Sequence, residues 1–394
     1  MLKMDEIDLS GKRVLIRVDL NVPMSNGIIE NDNRIKATIP TIELALQSNC
    51  SVILMSHMGR PREGVFEEDF SLKSVAENLS SALKREVRFI SNWDNNFDIN
   101  SGDIVLMENV RFLEGEKNND PDLSKKMGEL CDIFVMDAFA SAHRSHASTV
   151  GVIEFARIAC IGPLFSYELE SLERIFSNPK RPVLAIVGGS KISTKLEVIT
   201  SLAKSVDYLI LGGGIANTVL KAMGYEIGSS LHEESMLLTA KSLYENTTNS
   251  CVIPEILDVL VAKKFRVESK AILKNIEDVS KDDLILDIGP KTIKKYEAII
   301  KKAATIIWNG PVGVFEFDEF SEGTKKITNA IINSDGYSAA GGGDTIAAID
   351  KFDAAEGISY ISTGGGAFLE FIENKALPSA KALEIHEDKL EKGP

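Results

Sequence analysis

The stretch VLAIVGGSKISTK, residues 183–195, contains an apolar run followed by two glycines, a serine and a lysine. Its first part, Val183–Val187, is rich in branched apolar residues and predicts a strand, and the segment Ile192–Lys195 is expected to open a helix. A strand, a tight turn and a helix form the repeating unit of a parallel α/β sheet. Because this order recurs along the chain, we predict an α/β fold.

Short apolar runs alternate with amphipathic segments on both sides of this stretch. Alternation of this kind predicts mostly parallel sheets with helices on both faces, and two sheets suit 394 residues better than one very large sheet. The further candidate strands are Val14–Asp19, Val52–Ser56, Ile104–Met107, Ile133–Asp137, Tyr208–Leu211, Val259–Val261, Thr305–Trp308, Tyr337–Ala339 and Ser359–Ser362. The candidate helices are Ile35–Gln47, Leu72–Leu83, Lys195–Lys204, Glu234–Tyr244 and Ser321–Asn333.

The sequence indicates a domain boundary near the turn-forming pair Gly162–Pro163. The amphipathic stretch Phe165–Phe176 that follows predicts a helix joining two domains. We therefore expect a first domain at residues 1–165, a second at residues 166–375 that includes the joining helix, and a tail at residues 376–394. The tail is charged and has no strand pattern, so its residues alone are compatible with a frayed end or with a docked segment.

Composition excludes several classes of partner. With 44 basic and 58 acidic residues, the chain has a formal net charge of −14, which disfavours binding to nucleic acid or to an anionic membrane. The four cysteines are scattered, and no run of about 18 apolar residues occurs. No apolar signal segment is visible near Met1, so we expect a cytoplasmic protein, and the lack of a long heptad pattern favours a monomer.

Arginine and glycine are divided unevenly at Phe165. The part up to Phe165 holds 10 of the 13 arginines but only 9 of the 29 glycines. The remainder holds 3 arginines and 20 glycines, so the two parts are expected to perform different binding tasks.

Four arginines follow strands of the first part or open its first helix. Ligands of open α/β sheets bind at the carboxyl ends of the strands, and a guanidinium group pairs with carboxylate or phosphate through two hydrogen bonds. A lone arginine is more often a salt-bridged surface residue, but four at such positions favour a small ligand that carries both groups. The spacing of the nearby histidines matches no zinc pattern and favours hydrogen-bonding or structural roles. The arginines are Arg34, Arg60, Arg111 and Arg144, and the histidines are His57, His143 and His146.

Glycines follow five candidate strands of the second part. Glycine lets backbone N–H groups approach a ligand closely, and helix N-termini favour anions, so these segments predict phosphate binding. One such segment alone is more often a turn. Asp344 could hold a phosphate-bound Mg²⁺, act as a helix N-cap, or both, and Lys191 and Lys195 could neutralise phosphate charge. The segments are Gly188–Lys191, Gly212–Gly214, Asn309–Glu316, Gly341–Thr345 and Gly364–Gly366.

The P-loop, dinucleotide-binding and protein-kinase signatures are missing. The chain has no GxxxxGK[ST] loop, no GxGxxG before a helix, and neither the HRD nor the DFG element of protein kinases. A dinucleotide-dependent dehydrogenase is disfavoured for this reason.

Taken together, the motifs closely resemble the phosphoglycerate kinase family. The resemblance runs in order from the first strand to the tail and includes the blocks WNGPVGVFE, residues 308–316, and GGGDT, residues 341–345. It implies two Rossmann-like domains, each a mostly parallel sheet with helices on both faces, facing across a cleft and joined by a helix. It also implies that the tail returns to the N-terminal domain. Small-for-small departures occur at Ser190, Ala140 and Ser379, where the family more often has alanine, glycine and glycine.

The resemblance assigns 3-phosphoglycerate or 1,3-bisphosphoglycerate to the first domain, and ADP or ATP with Mg²⁺ to the second. It implies Glu316 on the ribose hydroxyls and Asp344 as the ligand of Mg²⁺. The triose contacts would be Asp19, Asn21, Arg34, His57, Arg60, Arg111 and Arg144. The nucleotide contacts would be Lys191, Lys195, Gly213, Asn309, Pro311, Glu316, Gly343, Asp344 and Thr345.

The implied reaction is a step of glycolysis: reversible phosphoryl transfer from 1,3-bisphosphoglycerate to MgADP, giving 3-phosphoglycerate and MgATP. We expect Arg34 and Lys191 to be catalytic, and a hinge-bending movement to bring the two domains together around the substrates. The alternative is a non-catalytic nucleotide- or anion-binding protein of the same fold. The sequence leaves the preference between ADP and GDP open.

Overall fold

The computed structural model describes residues 1–25, 27–93, 97–247, 251–373 and 375–392. The chain divides into two compact units, Met1–Glu170 with Ala376–Pro394, and Ser171–Lys375. The division falls at Glu170, inside a helix, rather than at Phe165. The first turn of that helix is held in the first unit, because the backbone N–H of Phe165 donates to Asp137 Oδ1 over 3.0 Å.

In the described part of the first unit, six strands form a wholly parallel sheet in the order β5-β6-β4-β1-β7-β8. A two-residue antiparallel hairpin, β2–β3, lies outside this sheet. The strands are β1 (Arg13–Arg17), β2 (Met24–Ser25), β3 (Ile28–Ile29), β4 (Ser51–Met55), β5 (Val87–Ile90), β6 (Ile104–Met107), β7 (Ile133–Met136) and β8 (Ile158–Ile161).

The described residues of the second unit form a five-stranded parallel sheet, ordered β10-β9-β14-β15-β16, and a three-stranded antiparallel sheet, ordered β12-β11-β13. The strands are β9 (Val183–Gly189), β10 (Tyr208–Gly212), β11 (Asp258–Ala262), β12 (Ile272–Asn275), β13 (Leu284–Ile288), β14 (Thr305–Asn309), β15 (Tyr337–Ala340) and β16 (Tyr360–Ile361).

Helices alternate with the strands in both units, which confirms the predicted α/β fold class. No helix within the described ranges is both long and apolar enough to cross a membrane. The helices are α1 (Asn33–Gln47), α2 (Lys73–Leu83), α3 (Pro121–Glu129), α4 (Val152–Phe155), α5 (Pro163–Phe176), α6 (Leu196–Ser205), α7 (Gly213–Ala222), α8 (Leu237–Thr247), α9 (Pro290–Ile300), α10 (Glu322–Ile332), α11 (Gly343–Lys351), α12 (Gly366–Ile372) and α13 (Pro378–Lys392).

The central strands owe their stability to burial on both faces. All five residues of β4 are buried, and β9 is buried up to Gly188. Continuous apolar runs of this kind are typical of parallel strands covered by helices on both sides. Each fully buried Val, Leu or Ile side chain contributes about 1.5–3 kcal/mol, so these strands hold rigid the strand ends at which ligands bind.

The C-terminal helix α13 packs on the first unit. The backbone N–H of Ser379 donates to Ala142 O over 3.2 Å, and His386 Nε2 accepts a hydrogen bond from Ala159 N over 3.2 Å. The Met1 ammonium lies 2.8 Å from a carboxylate oxygen of Glu387. Burial of Leu383 on the same helix adds apolar contact, so the helix is part of the first unit's packing.

Several predicted elements were wrong or missed. The helix expected to open at Ile192–Lys195 begins directly after this segment, at Leu196, so Lys191 and Lys195 both precede the helix. The antiparallel sheet was missed because the exposed strand Ile272–Asn275 has no apolar alternation and a buried carboxylate, Asp287, interrupts Leu284–Ile288. Strands Val87–Ile90 and Ile158–Ile161 were also missed, because Arg88 interrupts the apolar run of the first and Ala159 and Cys160 take the place of branched residues in the second.

Close backbone approach makes Gly188 sensitive to substitution. A Cβ at this position would lie 1.8 Å from the carbonyl oxygen of Pro311. We expect Gly188→Ala to lower the free energy of unfolding by about 1–3 kcal/mol through this overlap. Urea unfolding followed by Trp308 fluorescence in a Trp93→Phe background would measure it.

Gly343→Ala is the matched control, because a Cβ there meets no heavy atom within 4 Å. Its free energy of unfolding is expected to equal or exceed that of the parent by up to about 1 kcal/mol. Equal midpoints for both variants would contradict the packing argument.

Candidate active site

The predicted substrate residues of the first unit gather at the carboxyl ends of its parallel strands. We call this set the arginine edge. Asp19 and Asn21 follow β1, His57 and Arg60 follow β4, Arg111 follows β6, Arg144 follows β7, and Arg34 is in the first turn of α1. Such an edge is where open α/β sheets bind their ligands.

His57 lies at the centre of the arginine edge, between two guanidinium groups. Its Nδ1 lies 3.2 Å from Arg17 Nη2, and its Nε2 lies 3.3 Å from Arg144 Nη1. Burial and the positive charges of Arg17, Arg111, Arg144 and Arg34 hold the pKa of His57 well below its usual range. A neutral imidazole has a single lone pair, so it can accept from only one of the two guanidinium groups.

Arg34 is oriented by the turn that follows β1. Its Nη1 lies 2.9 Å from Asp19 Oδ2 and donates to Asn21 O over 3.1 Å. Asn21 Oδ1 in turn accepts from the backbone N–H of Gly59 over 2.8 Å, and Arg111 Nη1 donates to the carbonyl of Gly59. The ends of β1, β4 and β6 are thereby connected through hydrogen bonds.

The arginine edge has more positive than negative charge. Arg111 is shifted by burial, then by Arg144 and Arg17, which lower its pKa to about 10. Two carboxylates supply negative charge here. Asp19 pairs with Arg34, and the charge of Glu116 favours the charged forms of Arg17 and Arg111. The buried Arg111 Nε has no hydrogen-bond partner among the described residues, and Arg60 is exposed. An anion with several oxygen atoms would satisfy these donors and offset the repulsion.

Sequence reasoning missed two residues of this edge. Arg17 is 1% exposed and donates to Ser148 Oγ over 3.1 Å and to Val18 O over 2.7 Å. Its signal was an arginine inside an apolar strand, where only a ligand or a polar network would retain a charge. Asn109 accepts from Met58 N and Arg111 N, and so fixes the loops that carry His57 and Arg111.

In the second unit, a cavity of about 680 Å³ lies beside the glycine segments. Much of its wall is apolar and includes Leu231, Leu286 and Val314. Asp287 is buried in this wall, accepts from Ile288 N and Gly323 N, and has a pKa raised by burial to about 8. Four predicted nucleotide residues line the cavity, namely Gly213, Pro311, Glu316 and Asp344.

Three predicted nucleotide residues connect the strand ends next to the cavity. Lys195 Nζ donates to Gly188 O and Asn309 Oδ1, both over 2.6 Å, and to Asn309 O over 3.0 Å. Burial lowers the pKa of Lys195 to about 8. Thr345 Oγ1 accepts from Gly310 N over 2.7 Å and donates to Gly341 O over 2.9 Å. The ends of β9, β14 and β15 are therefore held in one hydrogen-bonded network.

Helix N-termini supply backbone donors at the same place. Helix α7 starts at Gly213, directly after β10, so no loop separates strand from helix. Helix α11 starts at the exposed Gly343, after Gly342 with a φ of 97° that favours glycine. The first N–H groups of a helix have no partner within the helix and favour anions. Lys191, in the loop after β9, is exposed.

Guanidinium groups at the ends of parallel strands and a glycine-lined cavity beside helix N-termini are typical of enzymes that act on phosphorylated ligands. The model of the family described as Phosphoglycerate kinase matches residues 4–375 of the chain. A solved phosphoglycerate kinase from Coxiella burnetii is 49% identical, with a TM-score of 0.94, over 98% of this chain and 99% of that one. Another, from Pyrococcus horikoshii OT3, is 32% identical, with a TM-score of 0.84, over 99% and 100%.

The chain belongs to the phosphoglycerate kinase family. It is a kinase, an enzyme of phosphoryl transfer in glycolysis that acts on small-molecule substrates. No finding supports the non-catalytic binding protein that was the alternative.

The partly buried His143, next to Arg144 of the arginine edge, predicts acid sensitivity. Burial and Arg144 lower the pKa of His143 to about 4, whereas an unfolded histidine titrates near 6.5. Between these values the unfolded chain binds a proton that the folded chain does not, so stability falls as the pH falls. We expect the urea midpoint of the first unit to decrease from pH 7 to pH 5, and less so in His143→Gln.

His232→Gln is the control for this experiment, because His232 lies in the second unit. In His232→Gln, the urea midpoint of the first unit should depend on pH as it does in the parent protein. An unchanged dependence in His143→Gln would show that this histidine does not carry the effect.

Proposed function

We propose that the two units divide the reaction between 1,3-bisphosphoglycerate and MgADP, the first unit binding the triose and the second the nucleotide. The observation that carries this proposal is the surplus of guanidinium groups around neutral His57. A substrate with phosphate and carboxylate groups at its ends would offset this positive charge and accept hydrogen bonds in the geometry that guanidinium groups favour.

On the triose side, each predicted residue has a task that its contacts support. Arg60, Arg111 and Arg144 would bind the terminal anionic groups, with His57 as a neutral spacer between charges. Asp19 and Asn21 would hold Arg34 and the Gly59 turn in place, as their hydrogen bonds indicate.

On the nucleotide side, the apolar cavity fits a purine base, and Glu316 at its edge fits the ribose hydroxyls. The N-termini of α7 and α11, with Gly213, Gly343 and Thr345, would face the phosphates. The adjoining wall is shaped by Asn309, Pro311 and Lys195. The Lys195 ammonium is bound to three protein oxygens, two of them on Asn309, and so holds this wall together.

The residues present fit Mg²⁺ bound with the nucleotide. Mg²⁺ in such sites takes one or two carboxylates and fills its remaining positions with phosphate oxygens and water. Asp344 supplies one exposed carboxylate in the first turn of α11 and lines the cavity. The described residues contain no group of three or more His, Cys, Asp or Glu that would hold the metal without a nucleotide. When bound, Mg²⁺ would neutralise phosphate charge.

The chemistry needs positioning and charge rather than proton transfer. The attacking oxygen belongs to a carboxylate or a phosphate, which is ionised near neutral pH, so no general base is required. Negative charge on the transferred group would be stabilised by Arg34 from the first unit and by Lys191 from the second. Lys191 suits this role because its side chain is exposed, whereas Lys195 is bound to protein oxygens.

Substitution of the two catalytic candidates tests the proposal. We expect Arg34→Ala and Lys191→Ala each to lower kcat by about 10²–10³-fold, because each removes a charge contact made in the transition state. A coupled assay of ATP formed from 1,3-bisphosphoglycerate and ADP measures kcat, and a parallel assay with GDP measures nucleotide preference.

Arg62→Ala and Lys180→Ala are charge-matched controls at exposed positions outside both sites, and they should retain the activity of the parent protein. Unchanged turnover in Lys191→Ala would refute its assignment. Absence of ATP formation by the parent protein would refute the proposed division of the reaction.

The Mg²⁺ assignment predicts a separate effect. Asp344→Asn removes the carboxylate charge, so we expect the Mg²⁺ concentration for half-maximal rate to rise by about tenfold or more at fixed ADP. Asp350→Asn, an exposed position on the same helix, should leave it unchanged. A Mg²⁺ titration that does not separate the two variants would exclude Asp344 as the ligand.

A further inference from the structure

The loop after β9 is held against α7 at its first residue. This loop, Ser190–Lys195, carries Lys191 and contains no regular helix. The carbonyl oxygen of Ser190 lies so close to Gly214, in the first turn of α7, that a Cβ on Gly214 would be 2.2 Å from it. The start of the loop is therefore packed tightly on the helix that lines the nucleotide cavity.

A second attachment follows two residues after Lys191. The backbone N–H of Ser193 donates to Glu233 Oε2 over 2.8 Å, and its hydroxyl donates to Glu233 Oε1 over 2.6 Å. Both oxygens of one carboxylate thus bind one residue of the loop. Ile192, between the lysine and this attachment, is fully buried.

Glu233 is itself joined to α7. Its backbone N–H donates to Thr218 Oγ1 over 3.1 Å, and the Thr218 hydroxyl donates to Gly214 O over 2.7 Å. The contacts therefore form a closed ring from Gly214 through Thr218, Glu233 and Ser193 along the loop to Ser190 and back to Gly214. Lys191 lies between the two attachments of the loop, which are at Ser190 and Ser193.

The charge of Glu233 also acts on Lys191. The hydrogen bonds from Ser193, with a further contribution from the charge of Lys191, hold the pKa of Glu233 below its usual range. The carboxylate is therefore ionised at neutral pH and can both anchor the loop and attract the lysine ammonium.

We propose that Glu233 is a positioning residue for Lys191. Its carboxylate fixes the loop through Ser193 and couples the loop to helix α7, which lines the cavity proposed for the nucleotide. This inference rests on the proposed catalytic role of Lys191. Glu233 acts through the lysine and not on the substrate, so its loss should disturb phosphoryl transfer more than the binding of either substrate.

The first test separates turnover from binding. We expect Glu233→Ala to lower kcat by about 10–100-fold, since misplacing a catalytic group by about 1 Å has effects of this size. KM for 1,3-bisphosphoglycerate should stay within about threefold of the parent, because the triose site lies in the other unit. Glu233→Gln keeps one acceptor oxygen and should recover part of the loss.

Glu234→Ala is the matched control. The carboxylate of Glu234, next to Glu233 in the chain, binds Lys221 and His232 instead of the loop. It should have the kcat of the parent. Ser193→Ala, which removes only the hydroxyl bond, should lower kcat by less than Glu233→Ala. Thermal midpoints of all variants show whether any of them has lost its fold.

The second test asks whether the effect passes through Lys191. In a Lys191→Ala background, Glu233→Ala should cause no further loss of kcat, because the group that it positions is gone. The same fold-loss in both backgrounds would overturn the inference and show general damage. Full activity of Glu233→Ala beside an impaired Lys191→Ala would overturn the inference alone, whereas full activity of Lys191→Ala would overturn the catalytic assignment as well.

Discussion

An excess of positive charge around a neutral histidine is the constraint on which the arginine edge of the first unit depends. Guanidinium groups repel one another, and burial of Arg17 and Arg111 removes the water that would screen them. The fold tolerates this because His57 stays uncharged between its neighbours and Asp19 holds Arg34. Rigid parallel strands keep the guanidinium groups close together despite their repulsion, so this arrangement lowers the stability of the protein on its own.

In the second unit, the groups that we propose to face phosphate are mainly backbone N–H groups rather than charged side chains. Glycines let the ends of β9, β10 and β14 approach each other more closely than any Cβ would allow, and helix α7 starts directly after β10. Partial positive charge then comes from N–H groups that cannot swing away. The two lysines of one loop illustrate the contrast, since Lys195 is bound to protein oxygens while Lys191 remains exposed.

The sequence was informative where one local rule decides the outcome. Apolar runs predicted the central strands. The polar residues directly after those strands were then the site candidates, among them Arg60, Arg111, Arg144 and Asp344, because parallel strands bring their carboxyl ends to one edge of the sheet. The sequence was less informative where contacts between residues far apart in the chain determine the structure. The bond from Lys195 to Asn309 joins strands far apart in the chain, and the exposed strand Ile272–Asn275 is stabilised by its partners rather than by its own pattern. Arg17 was missed for the same reason, since its partner Ser148 is remote.

The way the chain divides into units has a consequence for its synthesis. Helix α13 packs on strand β8 and next to Met1, yet it is translated after the whole of Ser171–Lys375. On the ribosome, the second unit therefore has all of its residues before the first unit has its last helix. Until α13 is made, the surface beside β8 and Met1 has no α13 to pack against it, so the first unit reaches its full packing only after α13 has been synthesised.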